Sequence, residues 1–290
     1  MNTTLKTEKK EVVISIDIPF VIIGEKLNPT GFKKLGQALV DQDMEFVKKL
    51  AKRQVEWGAE VLDVNVGHPQ VEEIRMMPRV VEAVRSVVDV PLCIDSNDPG
   101  ILEAGLKAAP GKPLVNSVNG EEKQLASVLP IVKDRGAAVI GLTIGEEGIP
   151  KTAEDRLKAA GIIIERAAKM GIPAEDIIID PLVMTVGHDS GAAQVTLKTI
   201  ELVRREYGVN VNLGASNVSF GLPDRHSVNS AFLTLAMQMG ATCSITDPLR
   251  LGSVVRSTDL LLGKDPNSMR FLKYFRTTEK LRELEAAEAK

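Results

Sequence analysis

Residues 177–181 read IIIDP, and the fold turns on how this stretch is read. Three consecutive isoleucines leave no polar face, the pattern of a strand buried on both sides. Asp180 then sets a carboxylate where the apolar run stops. The arrangement recurs along the chain. Short apolar runs lie at FVIIG (20–24), EVLDV (60–64), PLCID (91–95), PLVNS (113–117), AAVIGLT (137–143), DIIID (176–180), VNVNLGAS (209–216) and ATCSIT (241–246). Between them, helical spacing of apolar residues predicts helices near 43–57, 71–88, 98–108, 121–135, 152–170, 191–206, 225–239 and 251–263. Thr152 is placed to cap one start, and Gly171 to follow its end. The isoleucines at 162–164 have strand character but fall inside that capped segment, so they are assigned to the helix.

Eight strand-then-helix units in about 250 residues match a (β/α)8 TIM barrel. A doubly wound open sheet, built from the same units, is the alternative. No linker, low-complexity segment or shift in composition divides the chain. The expectation is α/β, a single domain with the barrel over 1–265 and an extra charged surface helix in 266–290.

Bulk properties narrow the function. The 290 residues are 44% hydrophobic and 26% charged, with a net charge of −3. That balance gives no electrostatic case for nucleic acid or an anionic membrane. Cys93 and Cys243 lie far apart inside apolar runs, which argues against a disulfide or zinc framework and fits a reducing compartment. No apolar stretch reaches membrane-spanning length, and MNTTLKTEKK lacks the apolar core of a signal peptide. A cytoplasmic protein is expected.

In a barrel the active site lies at the C-terminal ends of the strands. Those ends carry Glu25 and Asn28, Asp63 and Asn65, Asp95, Asn116, Thr143, Asp180, Ser216 and Asn217, and Asp247. Asp, Asn and Ser collect in such loops as turn and cap residues, and that account suits Asp98 and Asp247, each followed by Pro. It does not suit Asp63 and Asn116, which are still inside apolar runs where an unsatisfied polar group is costly. The rim reads as acidic and amide-rich, with few cations. No Gly-rich loop leads to a Lys, so a nucleotide-phosphate site is not indicated. Such a rim suits a flat heterocycle with N–H donors beside ring acceptors. His68, His188 and His226 sit in loops or helix starts without metal-ligand spacing, and no bound metal is expected, although carboxylates alone could hold Mg²⁺ or Mn²⁺. Cys93 shares a strand face with Asp95 and is read as a small buried hydrophobe.

IIGEKLNPTG, AEVLDVNVG, PLCIDSNDP, LVNSVNGE, AVIGLTIGEEGIPKTAEDRL, IIIDPLV and LGASNVSFGLPDRHSVNSAFLTLAMQMG together, in this order, resemble the pterin-binding methyltransferases. These move a methyl group between N5 of tetrahydrofolate and the cobalt of a corrinoid protein. The resemblance spans about residues 20 to 262. It implies a homodimeric (β/α)8 barrel with methyltetrahydrofolate in its mouth. It implies pterin-anchoring roles for Asp95, Asn116 and Asp180, with Asp63 and Asn65 matching the family's DxNVG segment. Asn217 matches the Asn that approaches N5 and is the expected catalytic residue. Arg225 matches a family Arg, and Ser216, Glu25 and Asn28 are expected at the same site. Dihydropteroate synthase is the nearest rival, but the last strand ends ITDPL without that enzyme's basic residues. A non-catalytic pterin or corrinoid binder is a third reading. No cobalt-ligating DxHxxG pattern is present, so the corrinoid is expected on a separate protein. That partner should meet the loops 68–70, 187–190 and 219–225.

Overall fold

The computed structural model describes residues 1–288, and the last two predicted helix positions lie outside the described residues. Ten strands and ten α-helices run in the order β1 (Thr3–Lys6), β2 (Glu11–Ile14), β3 (Val21–Leu27), α1 (Lys33–Val40), α2 (Met44–Glu56), β4 (Val61–Val64), α3 (Glu73–Arg85), β5 (Leu92–Asp95), α4 (Pro99–Ala108), β6 (Leu114–Asn119), α5 (Glu122–Arg135), β7 (Ala138–Leu142), α6 (Ala153–Lys169), β8 (Ile177–Asp180), α7 (Ala192–Tyr207), β9 (Asn210–Val211), α8 (Arg225–Gln238), β10 (Cys243–Thr246), α9 (Pro248–Leu261) and α10 (Met269–Glu288).

β3 to β10 form one parallel sheet in the order β10-β3-β4-β5-β6-β7-β8-β9. Bonds from Thr242 N to Val211 O (3.0 Å) and from Ile245 N to Leu213 O (2.9 Å) join its two ends. The sheet is therefore a barrel, and the open-sheet alternative is excluded. All eight predicted strands are present.

Each strand divides its residues between two cores, as the period of two requires. On β8, Ile177 and Ile179 pack outward against the helices. Ile178 points into the barrel with Val21, Ile23, Val61, Cys93, Leu114, Ala138, Ile140 and Cys243. Asp180 is the next inward position after Ile178. Asp63, Asp95 and Asn116 stand in the same relation to Val61, Cys93 and Leu114. The carboxylates thus form the top layer of a stack whose lower layers are apolar, which is why apolar runs end in charge.

The antiparallel hairpin β1–β2 was not foreseen. It pairs Thr3 with Ile14 and plugs the opposite end of the barrel with Leu5, Val12 and Ile14. Asn210 Nδ2 fastens it from β9 through Thr3 Oγ1 (2.9 Å) and Ile14 O (2.8 Å).

Local signals placed the helices. Thr152 Oγ1 accepts from Asp155 N at 3.1 Å, and α6 continues through the isoleucines at 162–164. Gly58, just past α2, has φ of +99° and Gly171, just past α6, has φ of +76°, conformations that favour glycine. Helix α10 is not merely a solvated tail. Arg256 reaches Phe20 O (3.2 Å) and Gly58 O (3.1 Å), while Glu60 takes ion pairs from Arg256 and from Arg270 on α10. Arg282 lies over the Trp57 ring at 5.6 Å. Among the described residues no helix is long and apolar enough to cross a membrane.

Candidate active site at the barrel mouth

The strand-end polar residues fall into three groups. The first lies on β4, β5 and β6. Asn116 Nδ2 donates to Asp63 Oδ1 at 3.2 Å, and both Asn28 Nδ2 and Asn65 Nδ2 donate to Asp95 Oδ2 at 3.1 Å. Asp63 is 1% exposed, and burial first, then repulsion from Asp95, pushes its carboxyl well above the usual range. Asp95 is raised to about 6, chiefly by burial and against the donors Asn65 and Asp63. Two carboxyls this close, with amides but no cation hydrogen-bonded to them among the described residues, resist ionising together.

Asp180 makes the second group. Its Oδ1 accepts from Leu182 N and its Oδ2 from Asn212 Nδ2, both at 2.8 Å. It is 7% exposed, and burial raises it to about 6 despite those donors and the nearby Arg156 charge. Arg156 donates to Pro181 O (2.7 Å) and Leu182 O (2.8 Å), so it fixes the turn after β8 rather than neutralising Asp180 directly.

The third group follows β9 and adjoins β3. Ser216 Oγ donates to Glu25 Oε2 at 3.3 Å, and Arg225 donates to Ser216 O (2.7 Å) and Ser219 Oγ (3.0 Å). Asn217 sits in a 3-10 turn (Ala215–Ser219), is exposed, and its side chain has no hydrogen-bond partner among the described residues. The amide is therefore free to engage a ligand.

Several residues at the mouth were missed. Asn212 is legible in hindsight, since it is two positions beyond Asn210 on one strand face. Lys26 and Arg250 correct the expectation of a rim poor in cations around ITDPL. Lys26 Nζ pairs with Glu25 (3.1 Å) and Asp247 (3.0 Å), and Arg250 follows Asp247 by three. Arg250 directly follows ITDPL in the sequence, whereas the approach of Lys26 to Asp247 spans the whole barrel and gives no local signal. Asp98 and Asp247 act as helix caps, accepting from Gly100 N at 2.7 Å and Leu249 N at 3.0 Å, as the following prolines implied. Thr143 is wholly buried, with its Oγ1 unpartnered among the described residues. Cys93 and Cys243 are free, buried thiols inside the barrel. Among the described residues no three His, Cys, Asp or Glu side chains are grouped to hold a metal ion.

Fold and mouth together define a (β/α)8 barrel of the enzyme type, with a polar site on its C-terminal rim. Residues 24–247 match the family model described as pterin binding enzyme, and the chain belongs to that family. It is 33% identical over 261 residues to the methylcorrinoid:tetrahydrofolate methyltransferase of Eubacterium limosum, covering 88% of this chain and 96% of that one. It is 31% identical over 242 residues to methionine synthase from Mycobacterium tuberculosis, covering 79% of this chain but 20% of that longer protein. Among solved structures, Yersinia pestis dihydropteroate synthase with a pterine–sulfa conjugate superposes with a TM-score of 0.68 at 17% identity, covering 90% of this chain and all of that one. The Xanthomonas albilineans dihydropteroate synthase with 4-aminobenzoic acid gives 0.69 at 20% identity, covering 90% of this chain and 99% of that one. At such identities the likeness shows the fold alone.

Proposed function

We propose that the protein is a methyltransferase moving a methyl group between N5 of tetrahydrofolate and the cobalt of a corrinoid on a separate protein. The observation that carries this reading is the pair Asp95 and Asp180 at the strand ends, both raised to about 6 by burial, with no cation hydrogen-bonded to either among the described residues. A ligand bringing several N–H donors, such as the amino and ring N–H groups of a pterin, relieves that desolvation. The name of the Eubacterium limosum relative, which aligns over nearly its whole length, supports the same chemistry.

Asp95, Asn116 and Asp180 hold the pterin edge, while Asp63, Asn65 and Asn28 orient those groups from beneath and beside. N5 is a poor leaving nitrogen until it gains positive character. Asn217, with its amide unpartnered, hydrogen-bonds N5 and stabilises the protonated form that develops in the transition state. Low-valent cobalt on the partner supplies the nucleophile. The barrel holds N5 facing outward for it.

A corrinoid is too large to enter the barrel beside the pterin, so the partner covers the mouth. The loops 68–70, 187–190 and 219–225 all follow strand ends there. Phe220 (68% exposed) and Met184 (39% exposed) add an apolar rim on two adjoining loops, joined by a bond from Thr185 Oγ1 to Phe220 O at 2.7 Å. An aromatic on a polar rim suits a transient interface. The protein acts as a cytoplasmic homodimer in this reading, a state that light scattering checks.

Single-turnover transfer from methyltetrahydrofolate to free cob(I)alamin, followed spectrally, tests the function. Loss of the cob(I)alamin spectrum in one enzyme-dependent phase is expected, and an unchanged spectrum would refute it. The cations near Arg250 favour a second reading, dihydropteroate synthesis. Formation of dihydropteroate from the pterin pyrophosphate and 4-aminobenzoate would establish that reading instead.

A further inference from the structure

A cavity of about 240 Å³ opens beside the mouth, lined by Glu25, Lys26, Ser216, Arg225, His226, Asn229, Asp247, Arg250 and Leu251. It collects the end of β3 and the first turns of α8 and α9. Three cations there face two carboxylates. Lys26 is held by both acids, Glu25 and Asp247. Among the described residues Arg225 is hydrogen-bonded only to the neutral oxygens of Ser216 and Ser219, with no acid in an ion pair with it. Arg250 is largely exposed and approaches Asp247 no closer than 3.8 Å, which leaves its other guanidinium nitrogens free for a ligand. Asn229 is 8% exposed, and its Oδ1 has no partner among the described residues. An unpartnered amide in a cavity wall is costly without a ligand, and turned about its last torsion it offers either donor or acceptor.

The strand order fixes where this cavity lies. In the closed ring β10-β3-β4-β5-β6-β7-β8-β9, the strands opposite β5 and β6 are β9 and β10. A pterin whose amino edge meets Asp95 and Asn116 therefore points its far side at β9 and β10. That far side carries N5 and C6, and C6 bears the substituent that distinguishes a folate from a bare pterin. The substituent ends in carboxylates. Loops after the last two strands of such barrels, with helix N-termini aimed at them, commonly hold anions.

From this juxtaposition we propose that the cavity is the subsite for the glutamate tail of the folate, with Lys26, Arg225 and Arg250 receiving its carboxylates. Asn229 hydrogen-bonds the amide that links the tail to the ring. The inference rests on the pterin reading of the mouth and adds to it a preference for polyglutamated over bare pterin substrates. At 240 Å³ the cavity fits part of a ligand, not a whole folate, so the tail runs on from the barrel mouth into it.

Calorimetry with three ligands tests this: the triglutamate and monoglutamate of 5-methyltetrahydrofolate, and 5,6-dimethyltetrahydropterin, which has no tail. The unaltered protein should bind the triglutamate about tenfold or more tighter than the tail-less pterin, as charge-assisted bonds allow. Arg250→Glu should remove most of that gap while leaving the tail-less affinity where it was, and Arg250→Ala should remove part of it. Arg250 is 72% exposed at its side chain, so both variants should fold, and the tail-less ligand reports on the fold in each. Equal affinity for all three ligands, or a gap that survives Arg250→Glu, would overturn the subsite. Failure of the tail-less pterin to bind at all would overturn the pterin reading, and this inference with it.

Discussion

The two ends of this barrel are built from the same strands and differ by one inward-facing position. At the closed end, Ile23, Val61, Cys93, Leu114 and Ile178 meet the hairpin residues Leu5 and Ile14 in an apolar plug. Two residues further along each of those five strands, Glu25, Asp63, Asp95, Asn116 and Asp180 face the mouth. The lower layer is satisfied by packing alone. In the upper layer Asp63, Asp95 and Asp180 are held by amides and one backbone N–H, with carboxyls raised by burial, while Glu25 pairs with Lys26. The contrast separates roles within a strand: the closed end stabilises the barrel, and the open end stores unmet hydrogen-bonding capacity for a ligand.

That division can be broken from either side. Ile14→Ala at the closed end should cost about 2–5 kcal/mol of stability, since it empties a fully buried site beneath the barrel. Chemical denaturation measures the loss, and methyl transfer by the folded fraction should stay near normal. A variant that stays stable but loses activity would show that the ends are not independent. Asn217→Ala at the open end should do the reverse. It should slow methyl transfer about a hundredfold or more, roughly 3 kcal/mol of transition-state stabilisation, with the melting temperature retained. Near-normal turnover would remove Asn217 from the mechanism.

Acidity sharpens the comparison further. Asp95 and Asp180 rise from 3.8 to about 6, so each keeps its proton in the folded protein over a range where the unfolded chain has lost it. The stability this contributes is complete below pH 3.8 and is lost as pH rises through about 6. The melting temperature of Asp180→Asn should therefore change less between about pH 4 and pH 7 than that of the unaltered protein. Because N–H donors favour the ionised carboxylates, methyltetrahydrofolate should bind more tightly as pH rises over the same range. An affinity that falls across that range would contradict the assignment of these carboxyls to the pterin.

The sequence made the barrel legible because its signals were local. IIID and VLDV show their inward and outward faces within four residues, and Thr152 and Gly171 bracket α6. The hairpin β1–β2 escaped because TTLK and EVVI are short strands flanking the charged TEKK, and their apolar positions gain meaning only beneath the barrel. Helix α1 escaped for a related reason: it has eight residues, no side-chain cap and Gly36 inside it. At the mouth, Asp63, Asp95, Asn116 and Asp180 were visible as polar residues inside or ending apolar runs. Lys26, Asn229 and Arg250 were not, because their grouping depends on the closure of β10 against β3 and on the first turns of two helices. The register that joins Cys243 to Val21 brings those first and last segments together, over a distance that no periodicity reports.

Titration calorimetry of methyltetrahydrofolate against the unaltered protein and Asp180→Asn, with both melting temperatures recorded, bears most directly on the claim that the strand-end carboxylates serve the ligand. The expected result is affinity weakened about tenfold to a hundredfold, as charge-assisted bonds of roughly 1.5–3 kcal/mol imply, with the ligand-free melting temperature maintained. Unchanged affinity together with a lowered melting temperature would contradict the account, because Asp180 would then only be capping the turn to Leu182.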